Sequence, residues 1–187
     1  MGLFNANHKT LSMKTILIIV SVLLALAIII PIAFRVRKDI KKKLAFENTY
    51  AIQNASTGLC VRPHNAGYKS GNNIISYSHK NWECITWEFI KLDENTYLLK
   101  NLFTEKTFQP KTEPKAGVEL WQQSMGGTQL QYWEFLKQTD ETYLIKLKGT
   151  DLYLTASSDK VNSAIVLQPK QETAKQQWKL VRQTPWI

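Results

Sequence analysis

The histidines and glycines of this sequence are too scattered to form a known catalytic motif. The three histidines are His8, His64 and His79, and a hydrophobic segment separates the first from the other two. No spacing typical of a metalloprotease, a serine hydrolase or a nucleotide-binding loop occurs, and Gly126 and Gly127 are too isolated to hold a phosphate. The sequence therefore predicts a protein that is not an enzyme and that uses no metal or cofactor.

The positive charge of the chain is concentrated near its N-terminus. Lys and Arg number 24 against 15 Asp and Glu, which gives a formal net charge of +9. Eight of the basic residues and one acidic residue lie within residues 1–45, which leaves sixteen basic and fourteen acidic residues for 46–187. Because a nucleic-acid interface needs a basic folded face, we expect no nucleic-acid partner.

An uncharged segment at residues 15–34 predicts a membrane-spanning helix. At about 1.5 Å per residue, the 20 residues TILIIVSVLLALAIIIPIAF cross a hydrocarbon core of roughly 30 Å. A cleaved signal peptide beginning at Met13 is the alternative, but this apolar run exceeds the usual length of about 7 to 15 residues. We expect an N-terminal tail at 1–14, an anchor at 15–34 that contacts the lipid bilayer, and a basic juxtamembrane linker at 35–45.

The basic residues on either side of this segment bear on its orientation. Two precede it, and six lie between Arg35 and Lys43. Because cationic segments resist translocation, this bias favours a single-pass membrane protein whose C-terminal domain is cytoplasmic. The same cluster is suited to binding anionic lipid head groups.

The rest of the chain contains one pattern three times. Trp87, Trp133 and Trp178 recur at spacings of 46 and 45 residues, and the motifs ENTYAI, ENTYLL and DETYLI recur with nearly the same period. Short runs of β-branched and aromatic residues alternate with turn residues, which indicates four strands per unit and about twelve in all. The predicted repeats span about 46–92, 93–139 and 140–187.

These repeats resemble those of the ricin B-type β-trefoil lectins. The resemblance rests on a Gln-x-Trp motif near the end of each unit and covers residues 46 to about 182. It implies an all-β fold, a β-trefoil of three four-stranded repeats, preceded by one N-terminal transmembrane α-helix. The motif residues are Trp87, Gln131, Trp133, Gln176 and Trp178, with Ile85 in place of the first glutamine. We expect them to be structural, because buried indoles fill a core and glutamine satisfies local hydrogen bonds.

Lectins of this family bind sugar through three positions per repeat: an acidic residue after the first strand, an aromatic residue on the next hairpin, and an asparagine beside Gln-x-Trp. This sequence departs from most of them. At the expected acidic positions are Arg62, Pro110 with Lys111, and Thr155. At the asparagine positions are Cys84, Leu130 and Lys175. At the aromatic positions are Tyr77, Trp121 and Gln168.

The second repeat is the better candidate for a carbohydrate-binding pocket. Glu113 is separated from Trp121 by a Pro-Lys-Ala-Gly turn and is placed to replace the missing acid, with the indole as a platform for a sugar ring. The predicted contacts are Glu113, Trp121, Gln122 and Gln129. The other candidate, in the first repeat, comprises His64, Asn65, Asn73 and Tyr77. Alternatively, Trp121 is a plain hairpin residue and Glu113 a solvated turn charge.

Two further motifs have open interpretations. Family members often close a disulfide within a repeat, and both a disulfide and two buried free thiols are compatible with Cys60 and Cys84. Asn54-Ala55-Ser56 matches the N-glycosylation pattern but lies in a predicted strand.

The resemblance implies a membrane-anchored, non-catalytic carbohydrate-binding module whose partners are glycans or a glycoprotein. The alternative is a trefoil with degenerate sugar sites that binds proteins or acts as a scaffold. Most lectins of this family act outside the cytoplasm, whereas the flanking charges favour the cytoplasmic side.

Overall fold

The structure is a computed structural model that describes residues 12–138 and 140–185. It divides into two compact units, which meet in the sequence between Ala45 and Phe46. Most of the predicted N-terminal tail lies outside the described residues.

The first unit consists of helix α1 (Met13–Ala45). Its segment Met13–Ile40 is long and apolar enough to cross a membrane, and a signal sequence near an N-terminus has the same features. The helix contains Pro31 and continues through the segment predicted to be a linker. Residues 35–45 are helical because Lys, Arg, Leu and Ala favour helix and neither Gly nor Pro interrupts them.

The second unit is built from strands, four in each predicted repeat. The first repeat contains β1 (Thr49–Asn54), β2 (Leu59–Pro63), β3 (Ile74–Ser78) and β4 (Thr86–Lys91). The second contains β5 (Thr96–Asn101), β6 (Thr107–Pro110), β7 (Leu120–Gln123) and β8 (Tyr132–Lys137). The third contains β9 (Tyr143–Leu147), β10 (Leu152–Ala156), β11 (Ile165–Pro169) and β12 (Trp178–Arg182). Single-turn 3₁₀ helices precede the last strand of each repeat, at Glu83–Ile85, Gln129–Gln131 and Ala174–Gln176.

Six of these strands close into an antiparallel barrel. Strands β1, β4, β5, β8, β9 and β12 pair in that order, and β12 pairs with β1. The others form the hairpins β2–β3, β6–β7 and β10–β11. Three bridges related by the threefold repeat join one hairpin segment to the next, at Asn73–Trp121, Ile75–Ala164 and Glu119–Val166. This arrangement is a β-trefoil, so the predicted fold is confirmed.

The three motif tryptophans lie fully buried in the core of this barrel. Trp87 Nε1 donates a hydrogen bond to Val61 O at 2.9 Å, and Trp178 Nε1 donates to Leu154 O at 3.0 Å. Trp133 Nε1 is buried without a partner among the described residues. Each indole therefore fills the core, but two of the three also tie a hairpin strand to the barrel.

Candidate functional site

A buried glutamine links the second hairpin to the loop before β8. Gln131 Nε2 donates hydrogen bonds to Gln109 Oε1 at 2.8 Å and to Ser124 O at 2.9 Å. Its Oε1 accepts a hydrogen bond from Gly126 N at 2.9 Å. Since both ends of this buried amide have protein partners, Gln131 is a structural residue.

Gln176 makes the equivalent three hydrogen bonds in the third repeat. Its Nε2 donates to Thr155 Oγ1 at 3.0 Å and to Pro169 O at 2.8 Å, and its Oε1 accepts from Gln171 N at 2.8 Å. In the first repeat the equivalent residue is Ile85, which is fully buried. The first repeat therefore lacks this side-chain donor.

Strand register identifies the three positions at which the family has its acidic residue. The pairs are Arg62 with Ile75, Gln109 with Trp121, and Thr155 with Val166. The second-repeat position is therefore Gln109. The sequence predicts Pro110 with Lys111 for this position, and the register corrects that prediction. Pro110 is buried and pairs with Leu120, one residue further along the hairpin.

The same register separates the two predicted aromatic platforms. Tyr77 lies two residues beyond Ile75 in β3, and the equivalent residues are Gln123 in β7 and Gln168 in β11. Trp121 lies instead at the position of Ile75. Tyr77 and Trp121 are therefore not equivalent, which corrects the correspondence predicted from the sequence.

In the first repeat, the residues at the three family positions lie close together but have changed chemistry. The Arg62 guanidinium lies over the Tyr77 ring, 4.0 Å from its centroid. Tyr77 also packs on the cluster that contains Cys84, the residue at the asparagine position. The family carboxylate has thus been replaced by a cation that covers the aromatic face.

In the second repeat, Trp121 lies between a residue of β6 and the residue that precedes β3. It pairs with Gln109 of β6 on one side and with Asn73 on the other. Paired residues of antiparallel strands project to the same face, so these three side chains share a face. Trp121 is half-buried, and Asn73, from the first predicted pocket, is exposed. The structure thus combines one residue from each predicted pocket.

The loop that carries Asn73 is fixed against β7. Gly71 N donates to Gln122 O at 2.8 Å, and Gln122 N donates to Asn72 O at 2.7 Å. Gly71 has a φ of +84°, and a Cβ at this position would lie 3.8 Å from the Trp121 ring. The positive φ favours glycine at this position, whereas a Cβ at 3.8 Å from the indole would make only an ordinary contact.

The remaining predicted contacts of the second repeat do not gather around Trp121. Gln122 is fully buried: its Nε2 donates to Gly67 O and Lys69 O, and its Oε1 accepts from Thr104 Oγ1. It is therefore a structural residue, which corrects its prediction as a sugar contact. Glu113 is exposed on the turn between β6 and β7, and its carboxylate has no hydrogen bond within the described part of the chain.

Gln129 and the first-repeat loop residues lie at the protein surface. Gln129 is exposed in the 3₁₀ turn before β8, with its side-chain oxygen near Gly149. His64 and Asn65 are also exposed. His64 N donates to Asn73 O at 2.8 Å, so the loop is closed by backbone rather than by the imidazole.

The two cysteines are free thiols in one buried cluster. Burial raises the pKa of the Cys60 thiol from 9.0 to about 12, and burial also raises the pKa of Cys84. Both thiols are therefore protonated at neutral pH and poorly nucleophilic. No group of three His, Cys, Asp or Glu side chains placed to bind a metal ion occurs in the part of the chain that the structure describes.

A cavity of about 390 Å³ lies at one end of the barrel, where the sequence singled out no site. Its walls include the three repeat-related tyrosines, Tyr50, Tyr97 and Tyr143. Phe89 and Phe135 pack between these rings. The centroids of neighbouring rings in this set lie 5.1 to 6.1 Å apart. The third repeat has the smaller Leu180 in the corresponding place, so the ring of aromatic side chains is incomplete there.

The geometry defines the second unit as a protein domain of the β-trefoil class. The chain matches the model of the ricin-type beta-trefoil lectin domain over residues 48–178, and it belongs to that family. The predicted family is thus confirmed. No curated protein matches the chain.

Several solved structures share this fold. The designed threefold-symmetric protein ThreeFoil has a TM-score of 0.69 and 21% identity, over 72% of this chain and 98% of that one. The ricin B-like lectin of Macrolepiota procera, solved with lactose, has a TM-score of 0.62 and 17% identity, over 72% and 94%. The exo-β-1,3-galactanase of Clostridium thermocellum has a TM-score of 0.67 and 19% identity, over 72% and 30%. At these identities the similarity is one of fold.

Proposed function

We propose that this protein is a non-catalytic carbohydrate-binding module anchored in a membrane by α1. The observation that carries the proposal is the shared face of Asn73, Trp121 and Gln109. An indole face packs on the C–H face of a sugar ring, and the two amides donate to and accept from sugar hydroxyls. Membership of a lectin family supports the same function.

Two features make this face suitable for a ligand. Gln109 Oε1 already accepts a hydrogen bond from Gln131, which fixes the orientation of the Gln109 amide. The Nε2 group of Gln109 is therefore directed away from Gln131. Trp121 is held between two paired backbone segments. Side chains that are ordered before binding lose less entropy when a ligand arrives.

A glycan array probed with the full chain in an uncharged detergent tests sugar binding. We expect binding to at least one neutral glycan, and we expect Trp121→Ala and Asn73→Ala each to weaken it about tenfold or more. Trp82→Ala is the matched control, because Trp82 is exposed in a loop of the first repeat and outside this face. Absence of glycan binding, or equal binding by the Trp121→Ala variant, would contradict the proposal.

The role of Glu113 separates the structure-based site from the sequence-based one. Because Glu113 lies on an exposed turn and Gln122 is buried, we expect Glu113→Gln to bind the same glycans as the unmodified chain. A loss of binding in Glu113→Gln would return the site to the pocket predicted from the sequence. Recovery of the bound glycan without cleavage would support the non-catalytic part of the proposal.

An interaction or scaffolding domain is the second candidate function. It is favoured by Arg62, which covers the Tyr77 ring at a family ligand position, and by the six basic residues after the apolar segment. Protease protection in sealed membranes separates the two candidates. A protected, extracytoplasmic trefoil supports glycan binding, whereas a cytoplasmic trefoil supports the interaction domain.

Retention of the anchor is tested independently of the ligand. We expect the full chain to stay in the membrane pellet after alkaline extraction, with an intact mass that includes residues 15–34. A shorter, extractable product would identify the segment as a signal peptide.

A further inference from the structure

Arg62 is a buried cation without a counter-ion. The residue is 6% exposed, and its Nε donates to Pro63 O at 3.1 Å. No carboxylate of residues 12–138 or 140–185 lies within ion-pair distance of its guanidinium. A charge removed from water is costly unless an opposite charge or hydrogen bonds compensate it.

The hydrogen-bonding groups at this position differ from those of the other two repeats. Gln131 donates to Gln109, and Gln176 donates to Thr155. In the first repeat the donor is replaced by the apolar Ile85, and the acceptor by an arginine, which can only donate. The two changes together leave donors at a position that elsewhere accepts a hydrogen bond.

The terminal nitrogens of Arg62 are not fully buried. They have no hydrogen-bond partner among the described residues and are not among the fully buried polar atoms that lack a partner, so they retain some contact with solvent. The stack on Tyr77 orients the planar guanidinium, which lowers the entropy lost when a ligand binds its two parallel N–H groups. The nearby Cys84 thiol is neutral and supplies no counter-charge.

We infer that the first repeat has an anion-binding site in which Arg62, stacked on Tyr77, binds a carboxylate or sulfate group carried by a sugar. Carboxylates and sulfates both accept two parallel hydrogen bonds from a guanidinium. The sugar part of this inference rests on the proposed function, while the preference for an anion rests on Arg62 alone.

The test compares matched ligands on the full chain in an uncharged detergent. Calorimetric titrations with glucuronate, glucose and sodium sulfate separate a sugar-borne anion from a neutral sugar and from a free ion. We expect glucuronate to bind about tenfold or more tightly than glucose and than sulfate, and to weaken as salt is added. Equal binding of glucuronate and glucose would overturn the inference, and equal binding of sulfate would overturn its sugar part.

The substitution that tests the residue restores the pattern of the third repeat. Arg62→Thr combined with Ile85→Gln re-creates the Gln176–Thr155 hydrogen bond in the first repeat, so the variant is expected to fold. We expect it to lose the preference for glucuronate, whereas Lys69→Met, which removes an exposed cation from the neighbouring loop, keeps it. A double variant that melts like the unmodified chain yet retains the preference would overturn the assignment.

Failure of this site is distinguishable from failure of the proposed function. Trp121→Ala is expected to weaken neutral-glycan binding about tenfold or more and to leave the glucuronate preference intact. A chain that binds no neutral glycan but still prefers glucuronate through Arg62 would overturn the proposed neutral site only.

Discussion

The indole nitrogens of Trp87 and Trp133 differ in hydrogen bonding, although the two residues occupy equivalent positions in the barrel. Trp87 Nε1 donates to Val61 O at 2.9 Å, whereas Trp133 Nε1 is buried without a partner in the described part of the chain. Both rings pack against Phe108, with centroid distances of 5.0 and 4.9 Å. The ring of Trp133 therefore contributes packing alone.

This difference predicts unequal costs for substituting the two tryptophans. Trp87→Phe loses packing and also leaves Val61 O without its donor, whereas Trp133→Phe loses packing only. We expect Trp87→Phe to lower the free energy of unfolding by about 1 kcal/mol more than Trp133→Phe, the net value of a typical hydrogen bond. Urea denaturation followed by far-ultraviolet circular dichroism measures both, with Trp178→Phe expected to resemble Trp87→Phe. Equal losses for all three would contradict this prediction.

The motif glutamines should contribute to stability rather than to binding. Gln131 has protein partners for both ends of its amide, so Gln131→Leu leaves Gly126 N and Ser124 O without their side-chain partner. We expect this substitution to cost about 1–3 kcal/mol of unfolding free energy. The control is Ile85→Leu, an apolar exchange at the equivalent position. A Gln131→Leu variant as stable as the control, with glycan binding lost, would make Gln131 a ligand contact.

A repeated asparagine closes the turn after the first strand in two of the repeats. Asn54 and Asn101 are both buried, and each Oδ1 accepts hydrogen bonds from the next turn while Nδ2 donates to backbone carbonyls. The third repeat has Leu147 at this position.

Because its amide is buried and fully bonded, we expect Asn54 to remain unglycosylated even in a secretory host. Mass spectrometry of the secreted trefoil measures this directly, and Asn54→Ala should cost about 1–3 kcal/mol, as should Asn101→Ala. A glycan on Asn54 would contradict the buried position of this side chain. Asn95→Ala, at an exposed turn residue, is the control for stability.

The threefold architecture was predictable because it depends on residues that repeat in the sequence. Trp87, Trp133 and Trp178 mark the same point of each barrel segment, and local strand and turn patterns supply the remaining elements. These features require no knowledge of which strands pair.

The register of the hairpins was not predictable in the same way. Trp121 precedes Trp133 by 12 residues and Tyr77 precedes Trp87 by 10, so the two aromatic residues lie at different distances from the motif, and the sequence does not show the cross-strand partner of either. Strand pairing makes Gln123, which lies ten residues before Trp133, the equivalent of Tyr77, and it places Trp121 beside Asn73. The stack of Arg62 on Tyr77 is likewise a contact between separate strands that no local pattern shows.

The state of the two cysteines leads to a prediction about chemical reactivity. Burial raises the pKa of Cys60 to about 12, and Cys84 is buried beside it, so neither thiol forms the reactive thiolate at pH 8. We expect a thiol reagent to label the native chain slowly and to label two thiols once the chain is unfolded. Ser78→Cys, which adds a thiol at an exposed position, is the control for reagent access. Rapid native labelling, or no labelling after unfolding without reductant, would contradict free buried thiols.

The raised pKa of Cys60 also fixes the direction of a pH effect. In the unfolded chain the thiol ionises near its ordinary pKa of 9.0, whereas in the folded chain it ionises near 12. The unfolded state therefore loses its proton first, so the contribution of Cys60 to stability is complete below about pH 9 and declines as the pH rises towards 12. Urea midpoints at pH 8 and pH 10 should fall more for the unmodified chain than for Cys60→Ala, which lacks the titrating group. An equal fall in both would show that Cys60 ionises at a similar pH in the folded and unfolded chains.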